Sequence, residues 1–207
     1  VSYGGKSKGQ DADRKLIAYL LKHKHETPFE HAVFKFHVKC PIFVMRQWIR
    51  HRMASYNEVS ARYTEVKDEF YIPAKWRAQD IKNKQGSMAA PALDHAALTK
   101  KFEAQIEAAL ATYRELLAAG VARELARMVL PVNAYTEFYW TVNARSLMNF
   151  LSLRADIHAQ WEIQQYAEIL AQSFKAKMPW TYEAFLQFVW RGVNEKLSTE
   201  RQRAEAK

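Results

Sequence analysis

Cysteine is almost absent from this sequence, since Cys40 is the single thiol among 207 residues. One cysteine cannot form an intrachain disulfide or a cysteine-based metal site, so disulfide-stapled folds and cysteine zinc centres are excluded. His25 and His31, which flank Pro28, make a poor metal site without cysteines or a third placed ligand. We therefore expect a protein of a reducing compartment that holds no metal.

Long apolar runs are also missing. Stretches such as residues 41–45 are far shorter than the roughly 20 residues that a membrane-spanning helix needs. No apolar signal-peptide segment opens the chain. We expect a cytoplasmic protein without a membrane partner.

Acidic residues are the minority charge, with 22 Asp plus Glu against 31 Lys plus Arg and a net charge of +9. This balance favours an anionic partner, which charge alone leaves open as nucleic acid, a phosphorylated metabolite or an acidic lipid surface. With 49% hydrophobic residues, a chain of this length can bury one substantial core. A single domain over residues 1–195, followed by a polar tail over residues 196–207, is the expected organisation.

The apolar spacing predicts a mixture of helices and strands. Alternation over residues 32–39 predicts a half-buried strand, and the aromatic and β-branched residues of segment 135–143 predict a second. Asp94 and Gly120 are placed to start and end a long amphipathic helix. Further helices are expected over residues 14–24, 42–53, 121–130, 146–174 and 182–193. We expect a polar loop at residues 55–60, an exposed excursion at 81–92 and a frayed end from residue 197.

Residues 46–63, RQWIRHRMASYNEVSARY, concentrate four arginines with one histidine, two serines, an asparagine and a glutamate. The planar guanidinium fork pairs bidentately with phosphate, and serine hydroxyls and loop N–H groups can complete a phosphate site. The alternative is a solvated basic face without a ligand. This segment is the strongest candidate for an anion-binding site.

Residues 50–63 resemble RHRxxSxxxxSxR, the signature of flavin-dependent thymidylate synthases, with every fixed position present. Three further blocks look like the same family and follow its order: HETPFEH at 25–31, ARMVLP at 126–131, and NARSLMN at 143–149 running on to Arg154. The resemblance extends from Val1 to about Arg191. Ala61 stands where many relatives have glycine, which bears on the backbone freedom beside the nucleotide.

The resemblance implies an α+β fold with a small antiparallel sheet flanked by long helices. It also implies a homotetramer whose active sites take residues from several subunits. FAD is the implied cofactor, deoxyuridine monophosphate (dUMP) the substrate, methylenetetrahydrofolate the carbon donor and NADPH the reductant. The positions matching the family's flavin contacts are Ser2, Thr27, Glu30, Arg50, His51, Arg52, Asn143, Arg145 and Asn149. His25 resembles the residue near the folate and flavin rings.

The positions that match the family's dUMP contacts are Gln47, Arg50, Glu58, Ser60, Ala61, Arg62, Arg127 and Arg154. Among them, Arg154 and Ser60 are the catalytic candidates. The resemblance puts Arg154 near the uracil carbonyl, where it would stabilise negative charge on the ring. Ser60 has no evident base, so a substrate contact is expected for it. Cys40 ends a predicted strand and is not expected to be a nucleophile.

Other interpretations of these residues exist. Arg145 and Asn149, four apart, could be a surface hydrogen-bonded pair on one helix face, as could Arg154 and His158. A nucleic-acid-binding module would use the same positive charge, but it tolerates scattered lysines and needs no fixed Ser, Asn and Glu partners. A helical scaffold without a ligand would leave the polar concentration unexplained. We therefore expect no nucleic-acid partner.

Overall fold

The computed structural model describes residues 7–205. Ser2 lies outside the described residues. The helices are α1 (Gln10–Lys22), α2 (Ile42–Trp48), α3 (His95–Ala118), α4 (Arg123–Ala126), α5 (Ala144–Arg154), α6 (Trp161–Lys177), α7 (Pro179–Ala184) and α8 (Glu195–Glu205). The strands are β1 (Val33–Pro41), β2 (Ala54–Glu58), β3 (Arg77–Gln79), β4 (Ser87–Ala89) and β5 (Tyr135–Asn143). The expected α+β class is confirmed.

Three strands form one sheet in the order β1–β5–β2. Both predicted strands, β1 and β5, are present with nearly the predicted bounds. The loop expected at residues 55–60 is wrong, because residues 54–58 form the edge strand β2. The excursion at 81–92 likewise contains β4, which pairs antiparallel with β3 through Arg77 opposite Ala89 and Gln79 opposite Ser87. Most side chains of β2 and β4 are exposed, as is usual for short edge strands.

The chain divides into two compact units, and the division falls within β1 and β5. Unit 1 comprises Val1–Phe34 and Thr141–Lys207, and unit 2 comprises Lys35–Trp140. In unit 1, α1 packs against α7, and α5 against α6. Phe174 is fully buried there, with the ring of Phe34 at 5.9 Å and that of Tyr182 at 5.8 Å. These edge contacts form the aromatic centre of unit 1.

Unit 2 is built around an aromatic core at the end of α2. The ring of Trp48 lies edge-on to Phe138 at 5.5 Å and to Trp140 at 5.3 Å, and all three side chains are almost completely buried. Tyr139, between the two on β5, points to the other face and is 46% exposed. This alternation is typical of a strand with one buried face, on which Phe138 and Trp140 are core residues.

The long helix α3 forms as expected. Asp94 caps it, with its Oδ1 accepting the N–H of Ala97 at 3.0 Å. Gly120 follows the last turn with a φ of +84°, a conformation that favours glycine. The single helix expected at residues 121–130 is instead α4 followed by a 3₁₀ turn, Arg127–Val129.

The helix expected over residues 146–174 is wrong, because α5 ends at Arg154 and α6 begins at Trp161. The Asp156 carboxylate stabilises the intervening turn by accepting the N–H of His158 at 2.9 Å and that of Val193 at 2.7 Å. A Cβ on Gly192 would lie 2.8 Å from this carboxylate, so glycine permits the approach. His158 is therefore off the helix that carries Arg154, so the alternative of a pair on one helix face does not apply to them.

The C-terminal segment is more ordered than its polarity predicted. Residues 195–205 form α8, whereas a frayed end was expected from residue 197. Leu197 and Ala204 are buried, and the Asn194 side chain accepts the N–H groups of Lys196 and Leu197 at 3.1 Å each. The other correction in this region is the helix expected at 182–193, which is α7 continued by a π-helical turn, Phe185–Val189. No helix among residues 7–205 is long and apolar enough to cross a bilayer.

Candidate active site

In unit 2, Arg50 and Arg52 lie on the short segment 49–53 that joins α2 to β2. The Tyr56 hydroxyl fixes this segment to β2, because it lies 3.0 Å from the carbonyl oxygen of Trp48 and 2.9 Å from that of His51. Burial raises the pKa of Tyr56 to about 12, which keeps the hydroxyl protonated as a donor. The side chains of Arg50 and Arg52 are exposed, and neither forms an ion pair within residues 7–205. Their charges are available to an anionic ligand.

A tight turn follows β2. The carbonyl oxygen of Ser60 accepts the N–H groups of Tyr63 at 3.1 Å and Thr64 at 3.2 Å, and the Ser60 hydroxyl accepts the N–H of Arg62 at 3.3 Å. Ala61 lies inside this turn. Lys24 is the one non-glycine residue with positive φ in the described chain, so Ala61 adopts its conformation in the turn without backbone strain.

Beside this turn, unit 2 contains a cleft of about 330 Å³. It brings together three of the predicted dUMP contacts, Glu58, Ala61 and Arg127. Arg127 has no carboxylate partner in the part of the chain that the structure describes, whereas Arg62 Nε lies 3.1 Å from Glu124 Oε2. The other lining residues are Ile42, Val59, Thr64, Glu65, Val66, Lys67, Glu69, Leu130, Ala134, Tyr135, Thr136 and Glu137.

Sequence reasoning missed a charged network at this cleft. Lys67 Nζ lies 3.0 Å from Glu137 Oε1, and His37 Nε2 lies 3.2 Å from Glu137 Oε2. The hydrogen bond from Lys67, more than the charge of His37, lowers the pKa of Glu137. His37 lies on β1, Glu137 on β5 and Lys67 on the segment after Ser60. Their contacts depend on the strand order, which the sequence motif does not give.

Cys40 is unsuited to nucleophilic attack. It is fully buried, and burial, reinforced by the charge of Glu58, raises the pKa of its thiol to about 12. A thiol with that pKa is protonated at neutral pH, and the thiolate is the nucleophilic form. The structure therefore agrees with the expectation that Cys40 is inert.

In unit 1, a second group of predicted residues gathers at the start of α5. Asn143 caps the helix, its Oδ1 accepting the N–H of Ser146 at 2.8 Å. Arg145 Nε lies 3.0 Å from Glu26 Oε2, and Arg145 Nη1 donates to Glu30 Oε1. Glu30, followed by Glu26, raises the pKa of Arg145. Glu26 was not predicted as a site residue, although it lies in the HETPFEH block.

Thr27 begins the 3₁₀ turn, Thr27–Glu30, that packs against α5. Asn149 is exposed one turn after Arg145 on α5. Arg154 is the last residue of α5 and is half-buried, and desolvation lowers the pKa of its guanidinium. His25 is exposed, with its ring 6.3 Å from Tyr19 and 6.5 Å from His23.

The predicted site residues thus fall into one set in each unit. Within residues 7–205, no three or more His, Cys, Asp or Glu side chains are grouped to hold a metal ion. Unit 1 has His25, Thr27, Glu30, Asn143, Arg145, Asn149 and Arg154, and unit 2 has Gln47, Arg50, His51, Arg52, Glu58, Ser60, Ala61, Arg62 and Arg127.

Comparison with known proteins identifies the family. A flavin-dependent thymidylate synthase of Thermosipho africanus is 59% identical over 196 residues, spanning 93% of this chain and 85% of that protein. One from Thermus thermophilus is 52% identical over 193 residues, spanning 93% and 71%. The solved structure of the UMP/dUMP methylase PolB from Streptomyces cacaoi, bound with 5-Br UMP, matches with a TM-score of 0.82 and 38% identity, covering 91% of this chain and 87% of that one. The family model for thymidylate synthase complementing protein matches residues 1–180. The chain therefore belongs to that family and is similar to flavin-dependent thymidylate synthases over 93% of its length.

Proposed function

We propose that this flavin-dependent thymidylate synthase converts dUMP to thymidine monophosphate, with FAD as its flavin, methylenetetrahydrofolate as carbon donor and NADPH as electron source. The observation that carries the proposal is the unit 2 cleft, which is lined by both Arg127 and Ala61 of the Ser60–Ala61 turn. Arg127 has no carboxylate partner among the described residues. The solved relative PolB is a UMP/dUMP methylase bound with a brominated UMP. A nucleoside monophosphate is the ligand class that fits both observations.

The phosphate of dUMP is a dianion and needs several cationic donors. Arg127 supplies one, and Arg62 supplies a second. Arg62 pairs with Glu124 at a site where both side chains are more than half exposed, and such surface pairs are weak, so a phosphate can replace the carboxylate. Gln47 and Arg50 join this set by their resemblance to the family's dUMP contacts.

The residues assigned to FAD differ in the chemistry they offer. Arg50 and Arg52 are exposed cations, which suits the diphosphate of FAD. Arg145 is already paired with Glu26 and Glu30, so it suits the uncharged rings or the ribose better than a phosphate. When bound, the flavin supplies the hydride for reduction of the transferred carbon.

Arg154 is the residue that we assign to stabilising negative charge on the uracil ring. A guanidinium partly removed from water stabilises developing negative charge more strongly than an exposed one, and Arg154 is half-buried with a lowered pKa. We assign it to the uracil carbonyl, where it holds charge as the ring reacts. We assign Ser60 a hydrogen bond to the nucleotide and no nucleophilic attack, because a serine nucleophile needs an adjacent base and the hydrogen bond of its hydroxyl is to the N–H of Arg62.

The test begins with the purified protein, which should bind FAD, turn yellow and migrate as a homotetramer. Added dUMP should raise its melting temperature, because the nucleotide binds only the folded state. With methylenetetrahydrofolate and NADPH it should form thymidine monophosphate, measured by chromatography. A colourless monomer that rejects FAD and retards DNA would contradict the proposal and support a nucleic-acid-binding protein.

A further inference from the structure

Glu58 and Thr136 form a short hydrogen bond in the cleft of unit 2. Thr136 Oγ1 donates to Glu58 Oε1 at 2.6 Å, and both residues line the cleft. Thr136 is the second residue of β5 and is 7% exposed, while Glu58 is the last residue of the neighbouring strand β2 and is exposed. Beside them, the N–H of Val59 donates to the carbonyl oxygen of Glu137 at 2.9 Å, which fixes the two strands together.

This bond restricts a side chain that would otherwise be mobile. A glutamate has three rotatable bonds and loses much conformational entropy when it is fixed. Threonine is β-branched, so its χ1 angle is stiff, and a buried residue on a central strand holds it further. A hydroxyl that donates to an ionised carboxylate forms a stronger bond than one between neutral groups. Thr136 therefore holds the carboxylate in one orientation before any ligand arrives.

The bond also leaves one carboxylate oxygen of Glu58 to accept a hydrogen bond from a ligand. An ionised carboxylate accepts hydrogen bonds and donates none. Because Oε1 accepts the hydrogen bond from the Thr136 hydroxyl, Oε2 remains for a donor of the ligand. On dUMP the available donors are the ribose hydroxyl and the N3–H of uracil.

We propose that Thr136 is a positioning residue for dUMP, which fixes Glu58 so that its second carboxylate oxygen accepts a hydrogen bond from the nucleotide. The inference rests on the proposed binding of dUMP in this cleft. The arginine-rich signature does not include Thr136. The strand order places Thr136 beside Glu58, because β5 is the neighbour of β2 in the sheet.

The experiment compares dUMP binding and steady-state kinetics in the wild-type holoenzyme, Thr136→Val and Thr136→Ser. Thr136→Val keeps the side-chain shape and removes the donor, so dUMP should bind about fivefold to tenfold more weakly, with KM raised and kcat little changed. Thr136→Ser keeps the hydroxyl and should restore most of the affinity. Thr112→Val is the matched control, because that hydroxyl donates to the carbonyl oxygen of Ala108 on α3, outside the cleft lining.

A double-mutant cycle tests whether Thr136 acts through Glu58. Once Glu58→Gln has removed the carboxylate, adding Thr136→Val should weaken dUMP binding little further. Melting temperature and bound flavin should match the wild type in Thr136→Val. A structural role would instead lower both and add fully to Glu58→Gln, which would overturn the inference.

Two analogues identify the nucleotide donor. If the ribose hydroxyl meets Glu58, 2′,3′-dideoxyuridine monophosphate should bind the wild type and Thr136→Val equally. If the ring donor meets it, the N3-methyl derivative of dUMP should do so. A Thr136→Val protein that binds dUMP as tightly as the wild type would overturn this inference alone, whereas a wild type that binds no dUMP would overturn the proposed function.

Discussion

The two units differ in how the charges of their predicted ligand-binding arginines are compensated. In unit 1, Arg145 is held between Glu26 and Glu30. In unit 2, Arg50 and Arg127 have no ion pair with any residue of the described range 7–205. An arginine that already pairs with two carboxylates helps to fix its own surroundings, whereas an arginine without such a partner can attract an anion. The same residue type is therefore in a different electrostatic environment in each unit.

Arg154 adds a third environment, because its guanidinium is half-buried and desolvation lowers its pKa. Arg154→Ala should reduce thymidylate formation by about 10²–10³-fold, since it removes a donor aimed at charge that develops in the reaction. Bound FAD and NADPH oxidation should remain, and Arg154→Lys should restore little, because a flexible point charge does not reproduce the planar fork. NADPH oxidation and thymidylate production are measured separately.

Two results would remove Arg154 from this role. Near-normal thymidylate production in Arg154→Ala would exclude it from the reacting site. Loss of bound flavin would mean that Arg154 acts structurally.

Glu124→Gln converts a compensated arginine of unit 2 into an uncompensated one. Arg62 then loses its carboxylate partner, so dUMP should bind more tightly, by up to about fivefold, which is the range of an exposed ion pair. The effect should shrink at high salt. Glu103→Gln on the exposed face of α3 is the control, and an equal gain there would show that net charge alone is responsible.

Cys40→Ala should have the smallest effect on activity, because the buried thiol is protonated and no step uses it. Its pKa is raised from 9.0 to about 12, so the stability it contributes is complete below pH 9 and is lost as the pH rises towards 12. Urea unfolding should therefore show a steeper loss of stability over this range in the wild type than in Cys40→Ala. Loss of thymidylate formation in a folded, flavin-loaded variant would contradict the account.

The sequence predicted the elements that local patterns determine. Alternation identified β1, the aromatic and β-branched residues identified β5, and Asp94 with Gly120 bounded α3. The break between α5 and α6 was missed because Asp156 ends the helix through a hydrogen bond to the distant Val193, and no glycine or proline marks the position. The edge strand β2 was missed because its residues are polar and carry the arginine-rich motif.

For the candidate site, the sequence likewise predicted the chemistry of the residues but not the contacts between distant ones. The motif identified the residue types that bind anions, such as Arg62 and Arg127, because their chemistry is readable from the side chains. It did not identify Thr136 or Lys67, whose partners lie 78 and 70 positions away along the chain. It also could not reveal that Glu26 compensates Arg145. Such pairings depend on the fold and leave no local pattern.

The claim that uncompensated arginines bind the nucleotide phosphate is tested most directly by comparing the affinities for dUMP and for deoxyuridine. The wild type should prefer dUMP, and Arg127→Gln should lose about 10–100-fold of that preference, the loss expected for a hydrogen bond to a charged group. Arg145→Gln should keep the preference close to that of the wild type. An equal loss in both variants, or an unchanged preference in Arg127→Gln, would contradict the account.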